Sequence, residues 1–137
     1  MAVGVEVPDE LVQLVSPRLI ADLVETAGVG LRFAEESGSP VTAFIMVWDE
    51  TGTGTGVRTA SDGDGEASLA DIADQVQDIV ITTRSWCGRR PVAWPECPVH
   101  QSHPLKVSTS SDAAVWVCPV DEQFSVPIGE LRLRGAT

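Results

Sequence analysis

The chain has 137 residues, of which 43% are hydrophobic, and a formal net charge of −11. This length is that of one ordinary domain, or of a small domain with an appendage, and the hydrophobic fraction suffices for a conventional core. The charge is uneven, because residues 1–80 hold fifteen acidic side chains against three arginines. Since phosphate backbones are bound by Lys and Arg, this charge disfavours nucleic acid and anionic membranes as partners and favours a basic protein.

The beginning of the chain predicts two helices. Pro8-Asp9-Glu10 is typical of a first helical turn, with acidic side chains at the positive helix end. Ser16-Pro17 predicts an N-cap followed by proline at the first helical position. Apolar residues then keep helical spacing as far as Leu31, and the polar segment 36–40 predicts the end of this second helix.

The next part of the chain predicts a strand or hairpin and then a third helix. Residues 41–48 are almost continuously apolar, which predicts a strand covered on both faces, with residues 57–61 returning as an exposed strand. The sequence Ser68-Leu-Ala-Asp71 resembles a capping box, and the helical spacing of apolar residues behind it extends to about Thr83.

After residue 85 the pattern changes to short apolar runs separated by Pro, His, Ser and Asp. The runs at 91–94, 105–109, 113–117 and 124–133 predict short strands. We therefore predict an α+β fold, in which residues 1–85 form a helix–strand or hairpin–helix module. Residues 86–137 are predicted to form a small antiparallel β module.

A Cys-Pro-Val phrase occurs twice in the second module. Cys97-Pro-Val-His100 and Cys118-Pro-Val-Asp121 are separated by 17 residues, which is room for two short strands and a turn. Two ligands three positions apart can bind one ion from a single tight turn, and zinc prefers thiolate sulfur and imidazole nitrogen. The sequence therefore predicts a structural Zn²⁺ site with Cys97, His100 and Cys118 among its ligands.

The fourth ligand is either His103 or Asp121, and the sequence leaves both open. The competing interpretation is a reduced, buried cysteine pair beside two surface histidines. We prefer the metal site because both histidines of the chain fall within six residues of Cys97. Cys87 lies outside both phrases and is expected to be unligated.

The phrase resembles two groups of proteins. Residues 90–125 resemble the zinc-ribbon group, in which two metal-binding turns lie at the ends of a small antiparallel sheet. Residues 94–105 and 116–119 also resemble a Trp-Pro-x-Cys-Pro-x-His-x-x-His-Pro-Leu…Trp-x-Cys-Pro motif of small, uncharacterised actinobacterial-type proteins. The second resemblance implies no activity.

The cysteines and the start of the chain also indicate a compartment. Three cysteines, an odd number, fit poorly with a disulfide framework. Residues 1–10 lack the basic and apolar segments of a secretory signal, and no run of 18 apolar residues predicts a membrane span. We therefore expect a cytoplasmic protein whose thiols stay reduced.

Three functions are compatible with these residues. The preferred one is a non-enzymatic, zinc-stabilised interaction, adaptor or regulatory protein. An alternative is a zinc-dependent hydrolase or deaminase-like enzyme, with three protein ligands, a metal-bound water and Glu96 or Glu122 as general base. The other alternative is a sequence-specific nucleic-acid-binding zinc-ribbon protein that uses Arg84, Arg89 and Arg90, which the net charge opposes.

Overall fold

The computed structural model describes residues 4–35, 43–59, 65–100, 103–110 and 112–132. Within these ranges the helices are α1 (Asp9–Val15), α2 (Pro17–Thr26) and α3 (Gly65–Trp86). The strands are β1 (Val5–Glu6), β2 (Leu31–Glu35), β3 (Ala43–Asp49), β4 (Gly54–Thr59), β5 (Lys106–Ser110), β6 (Ala113–Val117) and β7 (Ser125–Pro127). The predicted α+β class is confirmed.

The strands form two sheets. The first has the order β1-β2-β3-β4, with β1 parallel to β2 and the other pairs antiparallel. The second is the antiparallel sheet β5-β6-β7. Helix α3 contacts β4 of the first sheet and β5 and β6 of the second, so it joins the two sheets.

One hydrophobic cluster contains buried residues from both predicted modules, including Leu23, Val47, Val76 and Trp116. The boundary proposed after residue 85 stays a prediction. None of the helices in the described ranges is long and apolar enough to cross a membrane.

The second helix is shorter than predicted. Helix α2 ends at Thr26, and residues 31–35 form β2 instead of continuing the helix. Gly28 has a φ of +67°, in the left-handed region that terminates helices. In β2 Leu31 and Phe33 are buried and their neighbours are not, which is the alternation of a half-buried strand. The predicted helix end at residues 36–40 lies outside the described residues.

The first hairpin and the third helix also differ in detail from the prediction. In β3 one face is buried, but the other is only partly covered, since Phe44 is 39% exposed. Strand β4 begins at Gly54, three residues earlier than predicted, and residues 60–61 lie outside the described ranges. Helix α3 begins at Gly65, so Ser68 lies inside it and the predicted capping box is wrong.

In the second module three of the four predicted runs contain a strand, and residues 91–94 form none. This run begins with Pro91 and is followed by Pro95, and proline cannot donate a hydrogen bond to a neighbouring strand. The run instead places Trp94 in the core, where its indole N–H donates to the Thr26 hydroxyl at 2.9 Å.

Asp22 of α2 joins this helix to the C-terminal part of the chain. Its carboxylate is 2% exposed and accepts hydrogen bonds from the Trp116 indole at 2.9 Å, the Gly129 amide at 2.7 Å and the Leu131 amide at 3.1 Å. Burial raises the pKa of the Asp22 carboxyl, and the three N–H donors oppose that rise. A buried carboxylate with three donors therefore connects β6 and the segment after β7 to the first module.

An ion pair joins the turn after β3 to the segment after α3. The Arg89 guanidinium donates to both oxygens of the Glu50 carboxylate, at 2.6 and 2.8 Å, and the Gly30 amide donates to one of them at 2.8 Å. The hydrogen bond from Arg89 lowers the pKa of Glu50 from 4.5 to about 2.

The lowered pKa of Glu50 predicts an acid-dependent loss of stability. A carboxyl whose pKa is lower in the folded state stabilises the fold above about pH 4.5, and that contribution is lost as the pH falls toward about 2. We expect the urea midpoint of the wild type to fall more steeply over this range than that of Glu50→Gln. Parallel pH dependences of the two midpoints would contradict the role given to this pair.

Candidate metal centre

Four side chains that can ligate a metal meet at one end of the second sheet. One ligand atom from each of Cys97, His100, His103 and Cys118 lies within 4.8 Å of the other three. These residues are positioned to bind a metal ion, as the sequence predicted for Cys97, His100 and Cys118.

The first turn supplies three of the four donors. The amide of Cys97 donates to the carbonyl of His103 at 3.0 Å, and the amide of Leu105 donates to the carbonyl of Pro95 at 2.7 Å. Between these bonds Glu96 and Pro104 form an antiparallel bridge. This short ladder closes the loop from Cys97 to His103, which brings its two ends together.

The second turn follows β6 directly and supplies Cys118. The Cys118 amide donates to the carbonyl of Phe124 at 3.1 Å, and the Phe124 amide donates to the carbonyl of Asp121 at 3.0 Å. Since Lys106 of β5 pairs with Val117 of β6, the β5–β6 hairpin places the two turns at the same end of the sheet. The amide of Asp121 donates to the Cys118 sulfur at 3.2 Å, which holds this sulfur in the turn.

Four of the six distances between the donor atoms are close to those of a tetrahedron around zinc. With Zn–S bonds of about 2.3 Å and Zn–N bonds of about 2.0–2.1 Å, tetrahedral angles place sulfur about 3.5 Å from nitrogen and two nitrogens about 3.3 Å apart. His100 Nδ1 lies 3.5 Å from the Cys97 sulfur and 3.4 Å from the Cys118 sulfur. His103 Nε2 lies 3.1 Å from His100 Nδ1 and 3.9 Å from the Cys118 sulfur. These four separations are within about 0.4 Å of the tetrahedral values. The Cys97 sulfur lies within 4.8 Å of the donor atoms of Cys118 and His103.

A backbone carbonyl orients one of the imidazoles. His103 Nδ1 lies 3.1 Å from the Pro104 carbonyl oxygen, which can only accept a hydrogen bond. The proton of a neutral His103 therefore belongs on Nδ1, and the lone pair of Nε2 is directed into the cluster. The contact between His103 and the Pro104 carbonyl was not predicted from the sequence, although the His-Pro dipeptide at 103–104 was visible.

The geometry favours His103 over Asp121 as the fourth donor. Asp121 is exposed and lies outside the group of four, and its carboxylate accepts the Gln123 amide at 3.1 Å. Cys87 is likewise outside the group. It is a free, partly buried thiol whose pKa is raised, first by desolvation and then by the Glu50 carboxylate.

The sulfurs and the imidazoles differ in exposure. Cys97 and Cys118 are completely buried and are not in a disulfide, whereas His103 is partly buried and His100 is exposed. The two thiols are therefore shielded by protein, while the imidazole side of the cluster faces solvent. A divalent cation bound between the two turns would compensate the charge of two thiolate ligands.

Trp94 and Trp116 are part of the hydrophobic core beside these turns. Their rings meet edge to face with centroids 5.3 Å apart, and they are 1% and 0% exposed. Both indole N–H groups donate to α2, so neither ring is free to stack on a ligand. The two tryptophans therefore have a packing role in this structure.

The arginines considered for phosphate binding are largely committed to internal partners. Arg84 is 8% exposed and donates to the carbonyls of Ala27 and Pro91, and burial lowers its pKa. Arg89 is paired with Glu50. Only Arg90 of the three is an exposed residue.

Comparisons of the chain with protein-family models, with curated proteins and with solved structures found no match.

Proposed function

We propose that this is a non-enzymatic interaction or adaptor protein whose C-terminal part is stabilised by a structural Zn²⁺ ion. The observation that carries the proposal is the convergence of two sulfurs and two imidazole nitrogens, all within 4.8 Å of one another. Such a set is typical of closed zinc sites, in which the metal contributes directly to the stability of the fold.

The chemistry of the donors supports zinc over other divalent cations. Magnesium and calcium prefer oxygen ligands, whereas a tetrahedral set of two thiolates and two imidazoles suits zinc. Unpaired Cys97 and Cys118 fit a cytoplasmic protein in which zinc, and not a disulfide, holds the two turns together. The arrangement of turns at one end of an antiparallel sheet supports a likeness to zinc ribbons.

The number of donors supports a structural role over a catalytic one. A catalytic zinc ion keeps one position open for water and is held by three protein ligands. With His103 as the fourth donor, the four protein atoms fill the tetrahedron and leave no position for substrate. For this reason we place the hydrolase or deaminase-like alternative second.

The charge of the protein supports a basic protein partner. The net charge is −11, and the acidic side chains are concentrated in residues 1–80. Two of the three arginines near the end of α3 are engaged inside the protein, which further weakens the nucleic-acid alternative.

Elemental analysis of protein purified without a histidine tag tests the zinc proposal. We expect about one zinc per chain, and we expect removal of zinc by a chelator to lower the thermal midpoint. Absence of any bound metal, with unchanged stability in chelator, would overturn the proposal. A zinc ion that carries an exchangeable water ligand and supports hydrolysis would favour the catalytic alternative.

Two amino-acid substitutions identify the fourth ligand. We expect His103→Ala to lower zinc affinity by at least about tenfold, because it removes a donor from the tetrahedron. Asp121→Ala should leave the zinc affinity unchanged, since its carboxylate lies outside the cluster. Competition with a chromophoric chelator measures both affinities, and the opposite pattern would assign the ligand to Asp121.

A further inference from the structure

Helix α3 presents an acidic face to solvent, which we define as Asp71, Asp74, Asp78, Thr82 and Trp86. All five residues are exposed. Their spacing of three or four positions places them on one stripe of the helix, opposite the side that packs on the sheets. Trp86 is 62% exposed, whereas Trp94 and Trp116 are fully buried.

The carboxylates of this face lack cationic partners within the described part of the chain. No ion pair there involves Asp71, Asp74 or Asp78. The Asp71 carboxylate accepts a hydrogen bond from Gln75 at 3.3 Å, which is a neutral donor. The negative charge of the face is therefore not compensated by neighbouring side chains of the described ranges.

A cavity of about 290 Å³ opens beside the C-terminal end of this face, between α3 and the β3–β4 hairpin. Its walls include Asp49, Asp78, Thr82 and Trp86, and none of its lining residues in the described ranges is basic. The Asp49 carboxylate is held in place by the Thr51 and Thr53 amides at 2.8 and 3.2 Å. The volume lies below the range of about 300–1,000 Å³ typical of small-molecule sites and suits a single long side chain.

We infer that the acidic face of α3 docks a basic segment of another protein, with an arginine side chain of that segment in the cavity. A guanidinium stacks on a tryptophan ring and pairs with carboxylates, and Trp86 and Asp78 line the same cavity. Asp71 and Asp74 continue the negative charge along the helix for further basic residues of the partner.

Charge also argues against other occupants of this face. A second copy of the chain would bring two acidic faces together, and each chain already carries a net charge of −11. Nucleic acid and anionic lipid would be repelled for the same reason. The inference rests on the proposed basic partner and is independent of the zinc ion.

Isothermal titration of the full-length, zinc-loaded protein with a hexa-arginine peptide at low salt tests the inference. We expect Trp86→Ala and Asp78→Asn each to weaken binding about fivefold or more. Asp9→Asn on α1 is the matched control: it removes one exposed carboxylate away from the cavity, and we expect less than a twofold change. Since Asp78 and Trp86 are exposed, thermal midpoints of the variants should equal that of the wild type.

Two further peptides separate specific docking from general charge attraction. Hexa-citrulline has the same shape without the charge and should not bind, and hexa-lysine should bind more weakly because an ammonium does not stack as a guanidinium does. Binding of hexa-arginine that is equal in Trp86→Ala, Asp78→Asn and Asp9→Asn would refute this surface but leave the basic partner in place. Failure of the wild-type protein to bind any basic peptide would refute the basic partner as well.

Discussion

Replacing Cys97 or Cys118 by serine is expected to abolish stoichiometric zinc and to destabilise the C-terminal part of the protein. Each change removes a thiolate from a set of four donors, and a serine hydroxyl is not a substitute for it. The free energy of binding a structural zinc ion contributes directly to the free energy of folding. Each substitution should therefore lower the free energy of unfolding by several kcal/mol and the thermal midpoint by more than about 10 °C. Zinc content and thermal unfolding followed by circular dichroism measure both effects.

Cys87→Ser is the matched control for this experiment. It makes the same chemical change at a partly buried thiol outside the group of four donors. We expect its zinc content to be unchanged and its midpoint to shift by only a few degrees. Stoichiometric zinc in Cys97→Ser or Cys118→Ser would refute the ligand assignment.

Replacing Asp22 by alanine is expected to cost about 3–5 kcal/mol of unfolding free energy. The change leaves three N–H groups without their acceptor, namely the indole of Trp116 and the amides of Gly129 and Leu131. Each unsatisfied buried donor costs about 1–3 kcal/mol, offset in part because the buried charge is also removed. Urea unfolding at neutral pH measures the loss.

Two variants test whether the cost comes from the lost acceptor. Asp22→Asn keeps the shape and one acceptor oxygen but directs an NH₂ group at an N–H donor, so we expect a smaller loss of about 1–3 kcal/mol. Asp74→Ala, an exposed position on α3, should change stability by less than about 0.5 kcal/mol. A loss for Asp22→Ala no larger than that for Asp74→Ala would contradict the role given to Asp22.

Local sequence signals predicted the fold class and much of the C-terminal sheet. The Ser16-Pro17 signal is found as predicted, with Pro17 opening α2 and the Ser16 hydroxyl accepting the Arg18 amide at 3.2 Å. The end of α2 was missed because Leu31 continues a helical spacing by chance, although the left-handed Gly28 interrupts the helix. Strand β1 was also missed, because a strand of two residues, Val5 and Glu6, is too short to show a periodic pattern. Its parallel pairing with β2 joins residues that are far apart in the sequence.

At the metal centre, spacing predicted the donors but not their orientation. The two Cys-Pro-Val phrases indicated that Cys97, His100 and Cys118 meet, because two ligands three positions apart can bind one ion from a single tight turn. The choice between His103 and Asp121 depends on where the chain turns after each strand. The bonds that settle those turns, from Cys97 to His103 and from Phe124 to Asp121, are backbone contacts that no side-chain pattern specifies.

X-ray absorption at the zinc edge, on protein isolated without a tag, tests the central proposal most directly. The proposal predicts one zinc per chain with two sulfur neighbours at about 2.3 Å and two nitrogen neighbours at about 2.0–2.1 Å. A spectrum with fewer than two sulfurs, with a bound water in place of an imidazole, or with no zinc edge at all would contradict it.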